Sequence, residues 1–331
     1  MRIAPARDAY AEELQCNPSH ELASANLKLC EQILSANEGR KDLLPTSVAD
    51  LQAAMLKQGR FTEAVAMLEN FARDKHKLNE TWQTVLSKAG FGGRLIMDET
   101  GLFVLDLTGT SIHDLSLIKG LPLRSLNLTN TKVSDLGPLH GMRLVNLDLE
   151  GCPVSDLSAL KGMPLERLVI SLTRVNDLSA LKGMPLQKLS VIGTSVKDIS
   201  PLSGMGLTEL TIARNQVSDL TPLKGMLLQY LTLCGTQVSD LSPLRGMPLT
   251  WLQLHECEEL HDLRPLADCK HLQYLSLPPR CKDVECLRNL PDLKHLGFDT
   301  TSWAGPPTAA EFWKEYDAKK ATEQNAGVRS Q

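Results

Sequence analysis

Between residues 102 and 300 the apolar positions recur with a fixed rhythm. A Leu-x-apolar triplet begins at Leu105, Leu126, Leu147, Leu168, Leu189, Leu210, Leu231 and Leu252, each step being 21 residues. It recurs at Leu275 after 23 residues and at Leu296 after 21, making ten units. Inside a unit the period changes. Leu126 and Leu128 flank polar Asn127, an alternation that predicts a strand with one buried face. Val133 follows a turn, and Leu136 and Leu139 stand three apart in Asp-Leu-Gly-Pro-Leu, which predicts a single short 3-10 turn. One such unit buries too little apolar surface to offset the entropy of ordering it, so the units must stack. The expected fold is an α/β solenoid: an arc with a ten-stranded parallel sheet on its concave face and 3-10 turns on its convex face. At ~4.8 Å per strand the sheet would run roughly 45–50 Å.

Two polar columns punctuate the repeat. An aspartate precedes the 3-10 turn at Asp114, Asp135, Asp156, Asp177, Asp198, Asp219 and Asp240, where it suits an N-cap. A glycine follows it at Gly120, Gly141, Gly162, Gly183, Gly204, Gly225 and Gly246, as a positive-φ chain reversal requires. Capping accounts for the aspartate row more simply than a calcium ladder does.

The consensus L-x-L-x-x-T-x-V-S-D-L-S-P-L resembles internalin-type bacterial leucine-rich repeats. In that family an Asn commonly stands two positions before the Val or Ile. Here it survives only at Asn215, with Thr at 110, 131, 173, 194 and 236 and Cys at 152 and 257. Thr can still bond backbone along the ladder, so the resemblance implies the same fold. The Gly-Met-Pro-Leu ending and the 21-residue length also look like repeats appended to large multidomain bacterial proteins, kinase-like ones included. That likeness covers about 200 residues and implies fold far more than function.

The flanks read as helical. Residues 1–92 are expected to form an N-terminal cap, with a helix from Ser19 to about Asn37 and a third helix after Trp82 ending at Gly90. The segment VADLQAAMLKQGRFTEAVAMLENFARD, within about residues 46–75, resembles one tetratricopeptide helix pair through Leu51, Met55, Gly59, Phe61, Ala64 and Leu68. Gly92 and Gly93 lead to a capping strand, a turn at Asp98 to Gly101 and the first repeat strand, placing the repeat domain at 93–300. In 301–331, Thr308 and Glu311 form a capping box behind Pro306 and Pro307. A capping helix carrying Phe312, Trp313 and Tyr316 should follow, and the polar residues after Lys320 should lack fixed structure.

Composition removes several functions. The net charge of −4 lacks the basic excess of a nucleic-acid binder. No apolar run approaches membrane-spanning length, and the first fifteen residues contain no signal-like apolar core. A reduced, cytoplasmic setting is therefore expected for the eight cysteines. The stretch HECEELHDLRPLADCKHLQYLSLPPRCKDVEC invites a zinc reading, but Cys257, Cys269 and Cys281 stand twelve apart, whereas zinc ligands come in close pairs. In register Cys257 holds the Asn/Thr slot and Cys269 a core slot, so no metal is expected. Cys281-Lys282-Asp283 matches the CxD tripeptide of bacterial ubiquitin-ligase effectors, which place it in a large helical domain without counterpart in this sequence. No phosphate loop, nucleophile elbow or kinase motif occurs, so neither catalytic residues nor a cofactor are expected.

The outward strand positions are more informative. Those preceding each first Leu read Val104, Ser125, Asn146, Arg167, Lys188, Glu209, Tyr230, Trp251, Tyr274 and His295. Three successive aromatics stand there in a chain with only fourteen, and Gln253 and His255 share the Trp251 strand. Exposed Tyr and Trp are typical anchors of protein interfaces. Tyr230, Trp251, Gln253, His255, Tyr274 and His295 are therefore the expected contact residues of a monomeric scaffold binding a protein partner. The alternative is a non-catalytic regulatory or targeting module of a larger signalling, kinase-like protein.

Overall fold

The computed structural model describes residues 3–16, 21–36, 75–97, 102–278, 280–281, 283–298 and 307–329. The chain divides into two compact units: Met1–Leu107 with Asp114–Leu126 and Gly137–Arg143, and Thr108–His113 with Asn127–Leu136 and Leu144–Gln331.

The first unit holds helices α1 (Ile3–Cys16), α2 (Glu21–Ala36) and α3 (Lys75–Lys88), which precede strands β1 (Leu95–Met97), β2 (Phe103–Asp106) and all but the last residue of β3 (Leu123–Asn127). Helices α1 and α2 pack on one another. The tetratricopeptide-like segment lies outside the described residues. So do Ser19 and the turn at 98–101. Trp82 lies in the middle of α3 rather than ahead of it. The reason is burial: Trp82 and Leu86, four apart on one helix face, are fully enclosed. The Gln83 side-chain amide donates to the Leu95 carbonyl (2.7 Å), tying the helix to β1. Gly90 reverses the chain at φ +83°, and β1 then pairs antiparallel with β2 as the expected capping strand.

The second unit is the regular solenoid. Its strands are β4 (Asn146–Asp148), β5 (Arg167–Val169), β6 (Lys188–Ser190), β7 (Glu209–Thr211), β8 (Tyr230–Thr232), β9 (Trp251–Gln253), β10 (Tyr274–Ser276) and β11 (His295–Gly297). They pair in parallel and in chain order, with the central leucines aligned: Leu168 on Leu189, Leu210 on Leu231, Leu252 on Leu275. The ladder extends past each strand, as in the bonds from Leu149 N–H to the Val169 carbonyl and from Gly151 N–H to the Ser171 carbonyl. Leucines, valines and methionines of successive layers fill the interior, and Leu147, Leu168, Leu231 and Leu252 are inaccessible to solvent.

The aspartates act one residue earlier than an N-cap. In the turn Ser158–Leu160 the N-cap is Leu157, which makes no side-chain cap bond. Instead Ser158 N–H and Oγ–H both donate to the Asp156 carboxylate, each at 2.8 Å. The same pair of bonds recurs at Asp177, Asp198 and Asp240. These bonds hold the Asp156, Asp177 and Asp240 carboxyls below the usual carboxylate range, and the bonds from Arg264 bring Asp262 down to about 2. The closing glycines all take positive φ, for example +73° at Gly162.

The inner polar column satisfies backbone carbonyls inside the coil. Asn215 Nδ2 donates to the Val191 carbonyl (3.0 Å), 24 residues back. Cys152 and Cys257 send their thiols along the same path to the Leu128 and Leu233 carbonyls (3.0 and 3.1 Å). Thr173 and Thr236, with shorter reach, bond carbonyls three residues back in their own repeats. Cys257 and Cys269 are fully buried structural residues, as their register implied.

At the C-terminal end, helix α4 runs over Ala309–Arg329, well past the point where fixed structure was expected to stop. The capping box forms: Glu311 N–H donates to Thr308 Oγ, and Thr308 N–H to Glu311. Phe312 is buried, with its ring 5.7 Å from Phe298. Arg288 bonds Asp317 (2.6 Å) and Lys320 bonds Glu285 (2.8 Å), so ion pairs as well as apolar contact hold the helix over the last layer. Among the described residues no helix is long and apolar enough to cross a membrane.

Candidate functional site

The open face of the second unit's sheet carries the first residue of each strand in one row. Its early part is charged: Arg167 lies 3.7 Å from Asp148, and Lys188 lies 2.6 Å from Glu209. Parallel pairing places Tyr230 against Trp251, Trp251 against Tyr274 and Tyr274 against His295. All four rings therefore stand on one face in adjacent strands, as the register requires.

Their packing differs from a uniform stripe. Trp251 and Tyr274 stack with centroids 3.5 Å apart and planes 4° from parallel. His295 adds a tilted contact to Tyr274 at 6.2 Å. Among the described residues Tyr230 makes no ring contact of this kind, and it remains 45% exposed. Tyr274 is only 8% exposed, so it is a buried support rather than an exposed anchor. The cause is its position between Trp251 and His295, which cover both faces of its ring. The accessible aromatic surface is therefore Tyr230 and Trp251, with His295 at the far edge.

Beneath the rings lies a polar floor. Thr232 Oγ1 donates to Gln253 Oε1 (3.1 Å). Burial raises the Tyr274 pKa, and the Gln253 side chain opposes that rise. His255 Nδ1 lies 3.1 Å from Cys234 Sγ and 3.3 Å from Ser276 Oγ. Burial pulls the His255 imidazole below its ordinary pKa and pushes the Cys234 thiol up to about 12. Cys234 and Ser276 face outward by alternation but are buried, because the taller His255, Trp251 and Tyr274 side chains close over these small ones. Sequence reasoning did not single out Thr232, Cys234 or Ser276. The signal was present, since each stands 21 residues from Gln253 or His255.

Such a face offers stacking and hydrogen bonding. Among the described residues no group of three or more His, Cys, Asp or Glu is placed to hold a metal ion.

Stacked parallel strands, 3-10 turns and an internal Asn/Thr/Cys column define the coil. The chain is a leucine-rich-repeat protein. Solved structures agree with this assignment. An internalin (inlF) from Listeria monocytogenes is similar at 28% identity and a TM-score of 0.58 over 66% of each chain. Internalin C2 from the same organism is similar at 31% identity and a TM-score of 0.50, over 53% of this chain and 80% of that one. No protein-family model matches the leucine-rich-repeat protein, and no curated protein matches it in sequence.

Proposed function

We propose that this leucine-rich-repeat protein is a non-catalytic scaffold of bacterial type that binds a protein partner on its concave sheet face. Tyr230, Trp251, Gln253, His255, Tyr274 and His295 form the contact region. The observation that carries this reading is a pair of accessible aromatics on an open parallel sheet: Tyr230 is exposed, and Trp251 is backed by the stacked ring of Tyr274. Aromatic residues in such settings dominate interface energies because they bury much area for little lost side-chain freedom. The scaffold works as a monomer without a cofactor, in the cytoplasm, through a repeat domain at 93–300 flanked by helical caps.

Site-specific photocrosslinking tests this. A photoreactive phenylalanine analogue replaces Tyr230 in one variant and Lys224, exposed beside a 3-10 turn, in another. Crosslinks to one defined protein from position 230, and none from 224, are expected. A partner captured only from position 224 would move the binding surface off the sheet.

A further inference from the structure

The polar floor beside the rings fixes which protons the site presents. The backbone N–H groups of Leu254 and His255 both donate to Ser276 Oγ, at 2.9 and 3.3 Å. That oxygen keeps its own proton to give, and His255 Nδ1 lies 3.3 Å away. Cys234 Sγ approaches the same nitrogen at 3.1 Å. Because burial pushes this thiol up to about 12, it is an S–H group and not a thiolate. Nδ1 thus faces two proton-bearing neighbours, and Ser276 Oγ, whose acceptor sites are taken by the two N–H groups, is placed to donate to its lone pair. A neutral imidazole has one proton, so it resides on Nε2. Among the described residues no hydrogen-bond partner meets Nε2.

The Gln253 amide is oriented as well: Thr232 Oγ1 donates to its Oε1 (3.1 Å), so its NH2 is the end left to donate. Both side chains therefore present donors on the face that carries Trp251. The carboxylate whose charge acts on His255 is Glu256. Glu256 is engaged by Arg214 (3.5 Å) and Glu209 by Lys188 (2.6 Å).

We propose that His255 Nε2–H receives a carboxylate of an acidic polypeptide segment whose apolar part lies on Trp251. The proposal rests on the concave-face reading and adds the partner's chemistry to it. Cys234 and Ser276 are positioning residues that hold the imidazole in the donor tautomer. A carboxylate is the ligand group that accepts two hydrogen bonds without needing to supply one, and a charged acceptor strengthens each of them.

The test uses the full chain with nitrogen-15-labelled histidine and tryptophan, and poly-L-glutamate as the probe. In the free protein, the His255 nitrogen shifts should report a proton on Nε2. Poly-L-glutamate should perturb His255 Nε2 and the Trp251 indole, and poly-L-lysine should perturb neither. His255→Leu should weaken poly-L-glutamate binding about tenfold or more. His255→Gln, whose amide N–H can stand where Nε2–H stood, should stay within about threefold of the parent. A proton found on Nδ1 overturns the proposal. So do unchanged His255 shifts alongside a perturbed Trp251, which leave the concave-face reading intact. Perturbation confined to residues away from the sheet overturns both.

Discussion

The stack of Trp251 on Tyr274 changes what a mutation in the proposed contact region measures. Strand alternation alone suggests that Trp251→Ala is silent for stability, because the side chain points away from the core. In the structure its ring covers one face of Tyr274 at 3.5 Å, and Tyr274 is only 8% exposed. Removing the indole forfeits a stacked pair, about 0.5–1.5 kcal/mol, and uncovers part of the tyrosine ring besides. We expect a total loss of about 1–3 kcal/mol, or a fall in Tm of roughly 2–10 °C for a domain of this size. Tyr230→Ala removes a 45% exposed ring without a stacking partner and should stay within about 0.5 kcal/mol of the parent. A double-mutant cycle on Trp251 and Tyr274 isolates the pair, with an expected coupling of about 0.5–1.5 kcal/mol. Near-UV circular dichroism under thermal and urea unfolding reads it, using midpoints because long repeat arrays can depart from two-state behaviour. Equal midpoints for Trp251→Ala and Tyr230→Ala, or a cycle that sums to zero, would refute the stack as a stabilising element. Tyr230→Ala is accordingly the cleaner probe of partner binding.

Other expectations follow from single contacts. Asn215→Ala strands the buried Val191 carbonyl and should cost about 1–3 kcal/mol in urea unfolding. Cys257→Ala should cost less than Asn215→Ala, because Thr236 also donates to the Leu233 carbonyl (2.7 Å). Leu172 is 58% exposed at φ +57°, so Leu172→Gly should hold or raise stability by up to about 1 kcal/mol; a larger loss would show that its side chain packs productively. The His255 pKa is depressed in the folded state, so the unfolded chain binds this proton more readily. Stability should decline as pH falls through the ordinary histidine range near 6.5, and His255→Gln should flatten that decline. The Asp156, Asp177, Asp240 and Asp262 carboxyls are depressed too. Their contribution is present above the ordinary carboxylate range and lost as pH falls below about 4, so Asp262→Asn should blunt acid unfolding there.

The sequence by itself determined the coil. Its 21-residue step set the strand register, since a slip by one residue would turn Leu168 and Leu189 out to solvent and Arg167 and Lys188 inward. The same periodicity assigned Cys257 to an internal slot and the glycines to positive φ. These features are local or repeat identically in every layer, so a one-dimensional pattern contains them. Tertiary structure decided whatever depends on how unlike neighbours meet. Tyr230, Trp251 and Tyr274 occupy equivalent slots, yet one is exposed, one half-buried and one enclosed. Ring orientation and the flanking His295 set that difference, and register is silent on both. The Asp156 carboxylate bonds Ser158 from one residue before the N-cap, a geometry fixed by backbone dihedrals rather than by spacing. Helix α4 persists to Arg329 beyond its two ion pairs to Arg288 and Glu285, charges that lie 29 and 35 residues away in the chain. The tautomer assigned to His255 depends on Cys234 and Ser276, which meet it from the strands on either side. A repeat fixes which residues are neighbours; only packing fixes which way their protons point.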